Sequence, residues 1–286
     1  MLPFRKILFP VDYSAPCVTL VPYVKDMVRH FHAELTLVHA YGPASLAYSE
    51  LLTADPKWPE EIHALEEQRL RQFATEHFPG HHADVIVKAG EAGAVIHGLV
   101  QHEGTDLVMM PTQGYGPMRR FLLGSVTAKV LHDIGAPVWT GVGSALEGHE
   151  PSVPYKSIVC ALDETEDAEP VLKAAAALAC SYHAQLYLLH AVPTPPTALE
   201  IDFKTFRSEL MDAADFRLRA LKARLGIEAP HSVTDAMMID GVREEAVRRK
   251  ADLIVTGRGQ ARGTISRLWS RLYPLIREAP CPVLSI

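Results

Sequence analysis

Short runs of apolar, β-branched residues alternate along this chain with amphipathic stretches of helical period. In the first half the runs fall at 6–11, 35–40, 84–88, 106–110 and 137–140. Short apolar runs bounded by turn residues read as buried strands. Between them lie stretches with one apolar face, roughly 15–31, 60–77, 93–102 and 125–133, as expected of helices packed on a sheet. The second half repeats the alternation, with strands expected near 157–162, 186–192, 231–239, 252–256 and 282–286. Strands alternating with helices predict βαβ units and a parallel sheet. Right-handed crossovers then place helices on both faces. The expected fold class is α/β: two tandem doubly wound domains, each with a five-stranded parallel sheet.

The two halves are copies of one unit. FHAELTLVHA at 31–40 matches YHAQLYLLHA at 182–191, and KILFPVD at 6–12 matches SIVCALD at 157–163. Downstream, TDLVMM at 105–110 parallels ADLIVT at 251–256, and APVWT at 136–140 parallels CPVLSI at 281–286. Four blocks in one order mark an internal repeat. The Gly-, Ser- and Pro-rich stretch between the copies reads as a linker. The expected domains are 1–143 and 155–286, joined by 144–154.

Composition narrows the function classes. The net charge of −6 argues against a general nucleic-acid binder, and it lies entirely in residues 1–150, which hold 11 Lys/Arg against 17 Asp/Glu. No apolar run approaches the roughly 20 residues of a membrane span. The apolar stretch at the start is too short for a signal peptide. A soluble, cytoplasmic protein without membrane or nucleic-acid partners is expected. The four cysteines, Cys17, Cys160, Cys180 and Cys281, form no C-x-x-C pair and are expected to be free, buried thiols.

In doubly wound sheets ligands bind beyond the carboxyl ends of the strands, where strand order reverses. The loop after the fourth strand, 111–124, carries glycines at Gly114 and Gly124, and Ser125 opens the next helix. A glycine lets a phosphate chain approach the backbone. The first amides of a helix lack intrahelical acceptors, and with the helix dipole they attract anionic oxygens. Ser125 and Thr127 add hydroxyls, and Arg119 and Arg120 lie on the loop. The same pattern also suits turn glycines with Ser125 as an N-cap. Asp12 ends the first strand, either as an acceptor for a ribose hydroxyl or an adenine amine or as a helix N-cap. Ala40 ends the second strand and leaves room for a flat base.

These residues resemble the universal stress protein family. Its loop signature is Gly, two residues, Gly, nine residues, then Gly with Ser or Thr. Pro111, Thr112–Gln113, Gly114, nine residues and Gly124–Ser125 match it except at the first glycine, which is Pro111. The opening Pro10-Val11-Asp12 and the closing Ala136-Pro137-Val138 and Cys281-Pro282-Val283 resemble the family's strands, so the likeness covers nearly the whole chain. The resemblance implies an adenine-nucleotide-hydrolase-like fold. It also implies ATP with magnesium as ligand, with Pro10, Val11, Asp12 and Ala40 around adenine and ribose. Met110 and Pro111 would lie beside the ribose, and Gly114, Gly124, Ser125, Val126 and Thr127 at the phosphates. It further implies that domains pair along their last strands, here within one chain, and that two chains form a homodimer. Proline fixes φ and has no N–H, so Pro111 weakens binding if that position needs φ > 0 and is harmless if it serves only a tight turn.

The second copy departs further. Gln260 replaces the second glycine, Ser270 and Arg271 stand where Gly124 and Ser125 stand, and Pro274 suits a first helical turn. ATP binding is therefore expected in the first domain alone. Arg258, Arg262, Arg267 and Arg271 are left as an anion-binding or solvated basic face. His77, His81 and His82 match no closed metal-ligand set. His32 and His183 recur in both copies, which favours structure over catalysis, and His39 and His190 read as core residues of the second strands. No G-x-S-x-G, H-E-x-x-H or Walker lysine is present. The expected function is a stress-response protein that binds ATP as a signal or structural ligand. Alternatives are a nucleotide-free interaction module, a slow ATPase or autokinase, and an apolar-ligand binder lidded by 46–65.

Overall fold

The structure, a computed structural model, describes residues 4–42, 58–113, 123–141, 150–162, 168–192, 203–234, 238–258 and 272–286. The chain divides into two compact units, Pro3–Pro151 and Ser152–Ile286. In the first, the order is β1 (Lys6–Pro10), α1 (Ala15–Phe31), β2 (Glu34–Tyr41), α2 (Trp58–His77), β3 (Ala83–Ala89), α3 (Ala92–Glu103), β4 (Leu107–Pro111), α4 (Ser125–Asp133) and β5 (Val138–Gly141). All pairings are parallel, in the order β3-β2-β1-β4-β5. The central strands are the most apolar: every residue of β4 is buried, as are Ile7, Leu8 and Phe9 of β1. Buried on both faces, such strands read as continuous rather than alternating apolar runs.

The second unit repeats the plan with β6 (Ser157–Leu162), α5 (Ala168–Tyr182), β7 (Gln185–Ala191), α6 (Phe203–Leu225), β8 (His231–Thr234), α7 (Met238–Arg249), β9 (Leu253–Thr256), α8 (Tyr273–Glu278) and β10 (Val283–Ser285). Its parallel order is β10-β9-β6-β7-β8. Two doubly wound α/β domains in tandem are thus the architecture. One expected strand is shorter: 231–239 gives way to helix α7 from Met238. The mixed run Asp235–Asp240 carries no period that separates a strand end from a helix start, and the packing of α7 decides it.

Two repeated sequence features acquire physical reasons. His32 and His183 end α1 and α5 with φ of 51° and 54°, and the amides that follow return to the last carbonyls (Ala33 to Val28, 3.0 Å; Ala184 to Ala179, 2.8 Å). They are left-handed helix stops. The aspartate heading the fourth strand of each copy ties that strand to the first. Asp106 accepts from the amides of Arg5 and Lys6 at 2.8 and 3.1 Å, and Asp252 from Lys156 and Ser157 at 2.7 and 2.9 Å. Cys17, Cys160 and Cys281 are buried, whereas Cys180 is exposed on α5, against the expectation for four buried thiols. Burial pushes the Cys17 thiol up to about 12.

A carboxylate receiving two amides is a charge-assisted contact worth about 1–3 kcal/mol. Asp252→Ala is therefore expected to lower the urea midpoint of the full chain by that order, and Asp252→Asn by less. An unchanged midpoint in Asp252→Ala would contradict the role of this clamp.

Candidate nucleotide site of the first domain

The strand order reverses between β1 and β4. From β1 the chain crosses to β2 and from β4 to β5, so the two loops diverge and leave a crevice. A cavity of about 270 Å³ occupies it. Its walls come from five places: Pro10, Val11 and Asp12 after β1; Val38, His39 and Ala40 on β2; Ala92 and Ile96 on α3; Met110, Pro111 and Gln113 around the end of β4; and Gly124, Ser125, Val126 and Thr127 at the start of α4. The structure thus gathers ten residues singled out from the sequence around one cavity. Gly114, Arg119 and Arg120 lie outside the described residues, as does 46–57 of the expected lid.

Each wall has a local cause. Val11 continues the parallel ladder, its amide donating to the Val38 carbonyl at 2.8 Å. The Asp12 carboxylate Oδ1 accepts from the Ser14 amide (2.9 Å) and hydroxyl (2.6 Å), an Asx-type turn. Ser14, not Asp12, is the N-cap of α1, its Oγ accepting from the Cys17 amide. Asp12 therefore steadies the cap from outside through Oδ1.

Pro111 is the last residue of β4, opposite Gly141. Alternate residues donate to one neighbour in a parallel ladder. The amides of Val108 and Thr112 donate to the carbonyls of Pro137 and Gly141 on the β5 side. Position 111 therefore faces β1, whose pairing with β4 ends at Leu8–Val108; the second copy, with Gly257 at the matching place, carries the equivalent pairing on to Ala161–Thr256, and Pro10 and Pro111 have no N–H to extend it here. The strand passes through it in extended form.

Gly124 is the N-cap of α4, with φ −59° and ψ 141°, conformations open to any residue. What requires a glycine here is space. A Cβ would lie 3.2 Å from the Thr112 carbonyl oxygen, which accepts from the Gly124 amide at 2.8 Å. The first intrahelical bond runs from the Ala128 amide to the Gly124 carbonyl, so the amides of Ser125, Val126 and Thr127 have no acceptor within the helix. The Thr127 hydroxyl differs from its expected role. It is buried and donates to the Pro111 carbonyl at 3.0 Å, pinning α4 to β4, so Thr127 offers only its amide to an anion. The lining thus combines a carboxylate at Asp12 and the opening amides of α4 with apolar residues from β2, α3 and β4.

Five lining residues were not named as site residues from the sequence, His39 having been read as core. Ala92 and Ile96 come from the opening turns of α3, Val38 and His39 precede Ala40, and Gln113 follows the β4 strand. None belongs to a motif; the helix phase of α3 and the adjacency to Ala40 are the signals that point to them. The start of α3 is fixed by Glu91, which accepts from the amides of Gly93 (2.8 Å) and Ala94 (2.9 Å) and from Lys129 of α4 (2.7 Å). In the second copy, α8 carries Pro274 in its first described turn. Gln260, Arg262, Arg267, Ser270 and Arg271 lie outside the described residues, and Arg258 is half-buried. Among the described residues no group of His, Cys, Asp and Glu is arranged to hold a metal ion. No described helix is long and apolar enough to cross a membrane.

The Lys129 ammonium, then the Gly93 and Ala94 amides, hold the Glu91 carboxyl below its usual range. A lowered carboxylate contributes stability above the ordinary carboxylate range and loses it as pH falls through the lowered value. Glu91→Ala is expected to cost about 1 kcal/mol near neutral pH. Its difference from wild type should shrink as pH is lowered from about 6 towards about 3, followed by urea unfolding across that range.

The comparisons agree with this geometry. Residues 3–140 and 154–286 each match the model of the universal stress protein family. A universal stress protein of Thermus aquaticus is 30% identical over 141 residues, which are 46% of this chain and 98% of that protein. A solved universal stress protein from Archaeoglobus fulgidus superposes with a TM-score of 0.71 at 19% identity, covering 98% of this chain and 95% of that one. A functionally unknown protein from Pseudomonas aeruginosa does so at 0.64 and 15%, covering 99% and 92%. At such identities the two solved structures speak to fold, while the family model spans both halves. The chain belongs to the universal stress protein family, as two of its domains in tandem.

Proposed function

We propose that the first domain binds ATP with magnesium as a signal or structural ligand of a stress-response protein. The observation that carries this reading is the polarity of the crevice cavity. Val38, Ala40, Ile96 and Met110 give it an apolar wall that suits a flat base. Asp12 offers a carboxylate oxygen to ribose hydroxyls or an exocyclic amine, and the free amides of α4 face the other end, where phosphate oxygens gain from the helix dipole. The missing Cβ of Gly124 lets the opening of α4 lie close against the Thr112 carbonyl at the end of β4, which keeps its amides at the crevice. Magnesium would arrive with the phosphates, whose charge it offsets, with the Ser125 hydroxyl nearby. Pairing of the two domains within the chain and of two chains as a dimer belongs to the same proposal, as does a cytoplasmic setting.

No general base adjoins the α4 end among the described lining residues. Asp12 lies at the nucleoside end, so the geometry supports binding over rapid phosphoryl transfer. Gln260 in place of the second loop glycine, and Ser270 and Arg271 in place of Gly124 and Ser125, favour confinement of ATP to the first domain.

Calorimetry with ATP and magnesium on the whole chain tests the proposal. One site per chain is expected, with Gly124→Val weakening it by about tenfold or more, since a branched side chain against the Thr112 carbonyl displaces the opening of α4, at a cost to binding of about 1.4 kcal/mol or above. A thermal melt of the variant separates lost binding from lost folding. No heat at millimolar ATP, or a second site surviving in Gly124→Val with equal affinity, would contradict it.

A further inference from the structure

We infer that His39 and Glu66 form a proton-dependent brace that raises the first domain's affinity for an anionic ligand as pH falls. The inference rests on the nucleotide reading and adds to it how the site is regulated. His39 sits on β2, lines the cavity and is mostly buried. Its Nδ1 lies 2.7 Å from the Val11 carbonyl oxygen. A carbonyl only accepts, so Nδ1 carries a proton and donates it. The state of the second nitrogen decides the rest. Nε2 lies 3.6 Å from Oε2 of Glu66 on α2, and that oxygen is buried with no hydrogen-bond partner. A lone pair on Nε2 would oppose a carboxylate oxygen. A proton on Nε2 gives the buried oxygen a charge-assisted donor.

Several charged and titratable groups face the imidazole and Glu66. The Tyr13 ring, whose residue takes a left-handed φ of 60°, lies 4.7 Å from the imidazole. Burial, and then Glu66, push the Tyr13 hydroxyl up to about 12, so it stays neutral across the range where imidazoles titrate. Arg69 stacks over Tyr13 at 4.0 Å and lies 3.8 Å from Glu66 Oε2; it is half-exposed, and water screens it. Tyr41 on the same strand faces His63 of α2 at 3.4 Å. Val87 is the β3 neighbour, and Asp12, next to Val11, has one oxygen held by Ser14.

A second proton on His39 does two things. It ties the Val11–Asp12 turn through the imidazole to α2, and it places a full positive charge in the cavity wall. An anionic ligand gains from that charge and the empty cavity does not, so ligand and proton bind with positive coupling. His39 acts on the ligand by position and charge, and Glu66 acts through His39. The sequence shows His39 as a core histidine of an apolar strand, and only the packing of α2 shows its second partner.

The test is calorimetry of ATP with magnesium at about pH 8 and about pH 6, in buffers of differing ionisation enthalpy, on wild type, His39→Gln and Glu66→Gln. In wild type the affinity is expected to rise about three- to tenfold towards the lower pH, with net proton uptake on binding near neutral pH. His39→Gln should bind with no such pH response, and Glu66→Gln with a reduced one. Wild-type proton uptake carries the test should a variant fail to fold. ATP binding that is pH-independent in wild type, or equally pH-dependent in His39→Gln, would overturn the brace and leave the nucleotide reading standing. Absence of ATP binding at both pH values would overturn the nucleotide reading and the coupling with it.

Discussion

Two neighbouring strands, β1 and β4, hand their chains to crossovers running in opposite directions, and the first domain's site follows from that. Parallel pairing keeps the strand ends level, so neither outgoing chain covers the gap between them. The Val11–Asp12 turn, the opening of α4 and the opening of α3 all face that gap because the sheet leaves them nowhere else to end. The aspartate clamp at the opposite edge, repeated as Asp106 and Asp252, fixes the relative height of the same two strands. Register at the amino ends thereby sets geometry at the carboxyl ends.

The fold was legible because its signals are long and repeated. Four helices of the first copy and the central strands appear as periods and apolar runs, and self-comparison doubles each observation. The exceptions are local. The run at 235–240 has no period of its own, so the start of α7 was hidden. Cys180 lies on the exposed face of α5, a matter of helix phase that residue type does not record.

The site was partly legible, for a different reason. Backbone motifs at strand ends announce themselves through glycine, proline and aspartate, and those residues do surround one cavity. Side-chain roles were harder to read. Thr127 looks like a phosphate donor until its hydroxyl is found on the Pro111 carbonyl. Asp12 looks like an N-cap until Ser14 takes that position. His39 looks like a core residue until Glu66 is brought against it by α2, about thirty positions away. Thr127 and His39 depend on partners distant in sequence, which motif spacing does not encode, and Asp12 on a choice between two neighbouring cap residues. Pro111 is the converse case: a departure from the family's loop whose cost is local, since the β1–β4 pairing stops two residues earlier than its counterpart in the second copy while the β5 side of the strand keeps its pairing.

The most direct test of a nucleotide site in the first domain is amide hydrogen exchange of the whole chain with and without ATP and magnesium. Slowed exchange at Ser125, Val126 and Thr127, and in the turn around Asp12, with the amides of α8 unchanged, is the expected result. Slowing confined to the second domain, or none at millimolar ATP, would contradict it.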